Sequence, residues 1–269
     1  MVTDYPGTIG LRFNFINGGT SGLMSNVKIR KAISYSIDRE EMIDAVYGRY
    51  NPAYSYVAPA ITFNGSSYRS QVGEVIEDEY NEYVGDPDKI VALFQEGLDE
   101  LGVETPIEDI TLTYLTSGST TEVQAEREYI QQSLEETLGL TVELSVAGDN
   151  SLFIADRNEG NYDFFLGGWY SDYNDPLDFL YTNYTDAYGM SFGGYSNTDY
   201  DALADQLVGE TDMDKRLDIY KQMEQILLLD DCAFAPIYYA TKQVLLQNWV
   251  KDYRTSSFGA SAEFIWTYI

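Results

Sequence analysis

Ten residues, GGWYSDYNDP at 167–176, set two carboxylates, Asp172 and Asp175, beside the aromatic pair Trp169 and Tyr170. Four chemistries use carboxylates in such a setting: a calcium loop, an acid–base pair, a helix cap, or a binding edge for a positive group. A calcium loop needs oxygen ligands at alternate positions and a glycine at its sharp turn. The stretch begins that way at Asp172 and Asn174, but Pro176 takes the third ligand position and Leu177 stands where the glycine is required. Glycoside hydrolysis needs two carboxyl groups flanking the scissile bond. In a chain with 44 acidic residues such pairs also arise by chance. Asp175, directly before Pro176, has the chemistry of an N-cap with proline at the first helical position. Asp172 is left with two readings, an Asx-type turn or an acceptor for a cationic ligand.

Other machinery is excluded by composition. The 269 residues contain no histidine, which removes Ser-His and Cys-His nucleophilic sites and the commonest transition-metal ligand. Cys232 is the single cysteine, so neither an intrachain disulfide nor a usual zinc site can form. No phosphate-binding glycine loop is present, and Gly167-Gly168 is only a faint echo of one. Aspartic-protease signatures are absent. These observations imply no metal and no cofactor. The 16 basic residues against 44 acidic ones give a formal charge of -28, which argues against nucleic acid and anionic membrane surfaces. Twenty-four tyrosines supply amphipathic contact area suited to binding surfaces. No apolar run approaches the roughly 18 residues a membrane span needs. The opening MVTDYPGTIGLRF lacks the features of a signal peptide and reads like the interior of a longer chain.

The elements that would position the stretch follow from periodicity and caps. Residues 7–18 alternate like a strand entering a loop. Residues 25–48 read as a helix–helix corner, with Asn26 and Asp38 as successive N-caps, Glu41 as a capping-box partner, and Gly48 at the end. Residues 49–85 are rich in Tyr, Pro, Gly, Ser and Asn and read as a long irregular excursion. A helix over 86–102 is bounded by Asp86-Pro87 and Gly102, with Ile90, Val91, Phe94, Leu98 and Leu101 as its buried stripe. Residues 109–116, a helix over 120–138 ending at Gly139, and 140–146 form a strand–helix–strand unit, which implies parallel strands. A short helix near 150–158 leads to a buried strand at 162–170, so the opening stretch lies at that strand's C-terminal end, where open α/β sheets place ligands. Helices follow at 197–210, with Asp201 three residues after Thr198, and at 212–231. Residues 234–247 read as a strand pair around Ala240-Thr241, and the tail has loop chemistry with a short apolar end.

Four segments carry a family resemblance. VKIRKAISYSIDREEMIDAVYG (27–48), GWYSDYNDPLDFL (168–180), GGYSNTDYDALADQ (193–206) and DMDKRLDIYKQMEQILLLDDCAFAPIYYAT (212–241) resemble, in order and spacing, the C-terminal half of the extracellular oligopeptide-binding proteins, solute-binding family 5 of ABC importers. Lys28 and Lys31 stand where the family often has Arg and Gln, and both are expected on the surface. Family members are about twice this length and bind peptide between two lobes. The resemblance therefore implies an α/β, periplasmic-binding-protein-like second lobe with a mixed sheet and flanking helices over 1–248. The tail, 249–269, would return to a first lobe. It also implies a carrier without catalysis: an oligopeptide ligand, delivery to a membrane ABC permease through the full-length protein, an extracellular or periplasmic location, and a lipoprotein anchor. Carried over by position, Asp172 would receive the peptide's α-ammonium group, with Gly168, Trp169, Tyr170 and Tyr173 as further ligand-binding residues. Relatives that bind nickel complexes, haem or oligosaccharides keep those ligands as alternatives, and the Asp pair keeps an acidic glycoside hydrolase as a third.

Overall fold

The computed structural model describes residues 2–185, 192–254, 258 and 264–268. β1 (Val2–Phe13) opens the chain, followed by α1 (Val27–Tyr35) and α2 (Arg39–Met42). Asn26 Oδ1 accepts from the Lys28 and Ile29 amides, and Asp38 Oδ1 from the Glu41 amide, so each helix has the side-chain cap its sequence announces. The corner between them is fixed by the second cap, and a π-helical turn at Ile43–Tyr47 ends at Gly48 in the left-handed region. Lys28 pairs with Glu96 and Glu100, each at 2.8 Å, and Lys31 with Glu79 at 2.7 Å. Both lysines are only partly exposed, their charges held against facing helices.

The excursion proves more ordered than its composition suggests. It contains β2 (Asn51–Pro52), the hairpin β3 (Thr62–Phe63) and β4 (Ser66–Ser67), α3 (Tyr68–Val72) and α4 (Glu77–Tyr83). These elements are too short to show a hydrophobic period, and polar contacts hold them. Arg39, fully buried, donates through Nε to the Ala53 and Pro236 carbonyls at 3.1 and 2.7 Å and lies over the Tyr80 ring. The buried Glu224 carboxylate accepts the Tyr56 and Val57 amides and the Tyr68 hydroxyl, and it pairs with buried Arg69.

α5 (Pro87–Leu101) runs from the Asp86 cap to Gly102. Ile90, Phe94 and Leu98 are buried as the stripe predicts, but Val91 is half-buried and Leu101 exposed at the margins of that stripe. Then come β5 (Thr111–Ser117), α6 (Thr121–Leu138), β6 (Thr141–Ala147), α7 (Asn150–Glu159), β7 (Phe164–Tyr170) and α8 (Pro176–Leu180). α9 (Thr198–Gln206) is capped by Asn197. Asp201 instead accepts the Thr185 amide. α10 (Met213–Gln225) continues through a π-helical turn to Asp230. β8 (Phe234–Gln243) is one strand. The strand pair expected around Ala240-Thr241 is not formed, because β8 continues past a register shift along the start of β1, with Asp4 opposite Thr241 and Val2 opposite Gln243.

The six-stranded sheet has the order β2-β8-β1-β7-β5-β6. β5 is parallel to β6 and to β7, while β1 is antiparallel to β7 and β8. This is a mixed sheet with flanking helices on both faces. One core joins α1, α2, α5 and α6 to strand residues such as Leu11, Phe13, Leu112 and Phe164. A second joins the excursion to α8, α9 and α10 through Tyr56, Phe179, Tyr220 and Phe234. The tail leaves the sheet after Gln243. Leu245, Trp249, Phe264, Ile265 and Trp266 are exposed, and a β-bridge joins Lys251 to Tyr268. The rest of 249–269 lies outside the described residues apart from Val250, Asp252 to Arg254, Phe258 and Thr267.

Candidate ligand-binding site

β7 begins buried and ends in the open. Phe164 and Phe165 are buried, residues 166–169 are half-buried, and Tyr170 is 48% exposed. A strand buried throughout was the expectation. Its outer end is uncovered because the neighbouring strand leaves it. On one side β7 stays paired with β1 as far as Gly7–Tyr170. On the other, pairing with β5 stops at Leu115–Phe165, so among the described residues no strand covers that side of 166–170. Gly168 is set by its neighbour: a Cβ there would lie 1.9 Å from the Thr8 carbonyl of β1.

The loop after β7 is pinned residue by residue. The Ser171 amide donates to the Pro6 carbonyl at 2.7 Å. Asp178, 7% exposed, accepts the Trp169 indole N–H at 2.9 Å and the Asp172 amide at 2.8 Å through one oxygen, Oδ2. Asp175 caps α8 by accepting the Leu177 amide at 2.8 Å, and it takes the Tyr220 hydroxyl at 2.8 Å, with Arg216 at 3.8 Å. Asp175 is thus consumed by its structural role, which leaves the Asp172–Asp175 pair without two free carboxylates for hydrolysis. Asp172 and Tyr173 are exposed, and among the described residues the Asp172 carboxylate accepts no hydrogen bond. It stands at the end of the open strand edge. Desolvation of that carboxylate would need a second surface.

Sequence reasoning did not single out Asp178. Its signal was present, since an acid at the third helical position after an N-cap is placed to fold back onto the chain before the helix.

On the opposite face of β7 from Trp169, Tyr170 enters a cavity of about 470 Å³ lined by Tyr5, Tyr50, Tyr170, Ala240, Thr241 and Lys242. Tyr50 stacks on Tyr238 at 4.5 Å, Tyr5 meets Tyr170 at 5.7 Å, and Arg49 donates to the Tyr50 hydroxyl and pairs with Glu122. Behind them the Tyr47 hydroxyl donates to Glu126. Burial pushes the Glu126 carboxyl up to about 7. A hydroxyl can donate to the carboxylate or accept from the acid, so the Tyr47 contact serves both forms and burial decides. A carboxyl whose folded pKa is raised takes up a proton on folding. Its contribution is therefore most favourable below the unfolded value near 4.5 and is lost as pH rises towards about 7. Glu126→Gln is expected to flatten stability against pH across that window and to be relatively more stable than the parent at pH 8. Urea unfolding of both proteins at pH 5, 6, 7 and 8 measures this, and parallel curves would refute it.

Among the described residues no group of three or more carboxylates and thiols is placed to hold a metal. No helix among them is long and apolar enough to cross a membrane.

The fold is a mixed α/β sheet with helices on both faces, in which one strand keeps an open edge beside an exposed carboxylate. The chain belongs to the bacterial extracellular solute-binding proteins, family 5, whose middle-region model matches residues 2–191. It is 31% identical over 237 residues to the oligopeptide-binding protein OppA of Bacillus subtilis, covering 85% of this chain and 39% of that one. It is 30% identical to the dipeptide-binding protein DppE of the same organism, covering 92% and 42%. The structure of Listeria monocytogenes OppA bound to peptide superposes with a TM-score of 0.79 at 30% identity, over all of this chain and half of that one. An oligopeptide ABC transporter substrate-binding domain from Bacillus anthracis, TM-score 0.83 at 24% identity, shares the fold. The chain spans about two fifths of the length of the curated relatives it matches.

Proposed function

We propose that this chain supplies one lobe of a peptide-binding site, with Asp172 as acceptor of the ligand's α-ammonium group and the open edge of β7 as its backbone partner. The observation that carries the reading is the exposed Asp172 carboxylate at the end of a strand edge that no other strand covers among the described residues. A carboxylate gains a strong charge-assisted bond from an ammonium. Strand addition satisfies peptide backbone groups whatever the side chains, which permits broad specificity. Trp169 and Gly168 shape the edge, and Tyr170 and Tyr173 offer aromatic surface beside it. The names of the relatives support peptide as the ligand. Asp175's commitment to the α8 cap removes the specific basis for a hydrolase, so the protein is read as a carrier without chemistry of its own. Its partners are an oligopeptide and, through the full-length protein, an ABC permease. It acts outside the cytoplasmic membrane, anchored as a lipoprotein, and the tail from 249 packs on the other lobe.

One lobe leaves a ligand open on one side, and burial with preorganisation is what a two-sided site adds. The 269-residue chain alone is therefore expected to bind tri- to hexapeptides only in the millimolar range. Amide chemical-shift titration should move residues 168–173 at peptide concentrations of tens of millimolar, while calorimetry shows little heat. Micromolar binding by this chain would refute the two-lobed site, and unmoved amides would refute the peptide reading.

A further inference from the structure

The tyrosine-rich excursion reaches the site loop at two adjacent residues. Its hairpin turns at Asn64-Gly65, both in the left-handed region, the backbone an Asn-Gly turn between two short strands adopts. At the base of that turn the Thr62 amide donates to Asn174 Oδ1 at 2.8 Å, and Asn174 Nδ2 donates to Thr62 Oγ1 at 2.6 Å. The next residue, Phe63, is buried edge-on against Tyr220, ring centroids 5.5 Å apart, and Tyr220 is the tyrosine whose hydroxyl holds Asp175. So β3 grips position 174 directly and position 175 through Tyr220. The hairpin is itself anchored, because the Tyr68 amide donates to the Ile61 carbonyl and Gln71 Nε2 to the Phe63 carbonyl, each at 2.9 Å.

Among the described residues no hydrogen bond or ion pair aims the Asp172 carboxylate, so its direction follows the backbone of 171–175. Asp178 holds that backbone from the buried side. The Thr62–Asn174 clasp holds it from the solvent side. A clasp between exposed residues adds little to global stability. What it removes is the freedom of a ligand-bearing loop, and that freedom appears in affinity rather than in unfolding.

We propose that the β3–β4 hairpin is a positioning element for the ammonium acceptor, with Thr62 and Asn174 as positioning residues. The proposal rests on the peptide reading above. Two variants weaken the clasp to different extents: Asn174→Ala removes both of its hydrogen bonds, and Thr62→Val keeps the shape of the side chain and loses only the bond to Oγ1, while the Thr62 amide still donates to Asn174 Oδ1. Thr62→Ser keeps the hydroxyl and serves as the rescue.

The test uses the 269-residue chain, trialanine and N-acetyl-trialanine, followed by amide chemical shifts and amide hydrogen exchange. Hydrogen bonds of ordinary net strength correspond to a factor of roughly two to ten each in local opening. Asn174→Ala and Thr62→Val are expected to raise exchange at the Asp172 and Asp175 amides by about that factor. Both should leave β5, β6 and the melting temperature unchanged. Both should weaken trialanine by a similar factor and N-acetyl-trialanine hardly at all, while Thr62→Ser behaves as the parent. Three results would overturn the proposal with the peptide reading intact: loop exchange unchanged, trialanine affinity unchanged, or equal losses for the two peptides. A parent chain that does not respond to trialanine at 168–173 would overturn the peptide reading, and this proposal with it.

Discussion

Asp172→Asn is expected to cost a peptide with a free amino terminus between about thirty-fold and several thousand-fold in affinity, in a two-lobed protein carrying this chain as one lobe. The substitution keeps the shape of the side chain and removes its charge. The Asp172 amide still donates to Asp178, so the loop is retained. When a second surface closes over the site, the ammonium and carboxylate lose water together. Truncating one member of such a pair typically costs ~2–5 kcal/mol, much of it from leaving the other charge unpaired. The loss should be confined to peptides that present an ammonium group. An N-acetylated peptide should bind the parent poorly and the variant only slightly less. Asp175→Asn provides the contrast. Asparagine caps a helix about as well as aspartate, so binding should hold once the protein is folded. Stability should fall modestly, because Arg216 and the Tyr220 hydroxyl lose a charged acceptor. Calorimetric titration of both variants with free and acetylated peptide decides the assignment. Equal losses for the two peptides, or a larger binding loss at Asp175 than at Asp172, would show that the wrong carboxylate has been chosen.

The second large effect is on stability. Glu224→Gln is expected to lower the unfolding free energy by ~3–5 kcal/mol, the usual cost of breaking a buried ion pair from one side. Glu224 is fully buried on α10. Its two oxygens accept the Tyr56 amide at 3.2 Å, the Val57 amide at 3.0 Å and the Tyr68 hydroxyl at 3.0 Å, besides the Arg69 guanidinium. Every partner is a donor. A glutamine of the same shape turns an N–H₂ group towards donors on one side and leaves the buried guanidinium without a counter-charge. Arg69 still donates to the Val57 carbonyl and the Ser55 hydroxyl, so its charge cannot simply swing out to water. Against a total stability of ~5–15 kcal/mol for an ordinary domain, this is a large fraction. Urea denaturation reads the loss directly, and a change under about 1 kcal/mol would refute the account, since it matches an ordinary surface substitution. Adding Arg69→Met to Glu224→Gln should recover part of the stability, because the double variant no longer buries an unpaired charge. These residues bind the excursion to α10, so the single variant should also loosen the hairpin that grips Asn174.

What the sequence determined by itself is local and chemically short-ranged. Asn26, Asp38, Asp86 and Asp175 cap the helices they precede, because an acceptor within three residues of free amides finds them in any context. The alternation in β5 and β6 and the helix between them require a parallel pair, because the crossover is too long for a hairpin. The family motifs were legible as well, and with them the position of Asp172 at the end of β7. Tertiary structure decided what depends on partners far along the chain. Residues 234–243 form one strand rather than two because the start of β1, more than 230 residues earlier, continues the ladder past Ala240. Segment 49–85 showed no period because its elements are short and its order comes from irregularly spaced buried residues, such as Tyr56, Ile61 and Tyr68, and from hydrogen bonds of Arg39, Arg69 and Glu224 that follow no repeat. Whether the edge of β7 is open was likewise unreadable, since it depends on where β5 parts from it after Leu115. Asp178 was readable from its position after the Asp175 cap, since its partners Trp169 and Asp172 lie within nine residues. The Thr62–Asn174 clasp was not: it joins residues 112 apart in the chain that only the fold brings within hydrogen-bonding distance, and no propensity or periodicity encodes a contact of that kind.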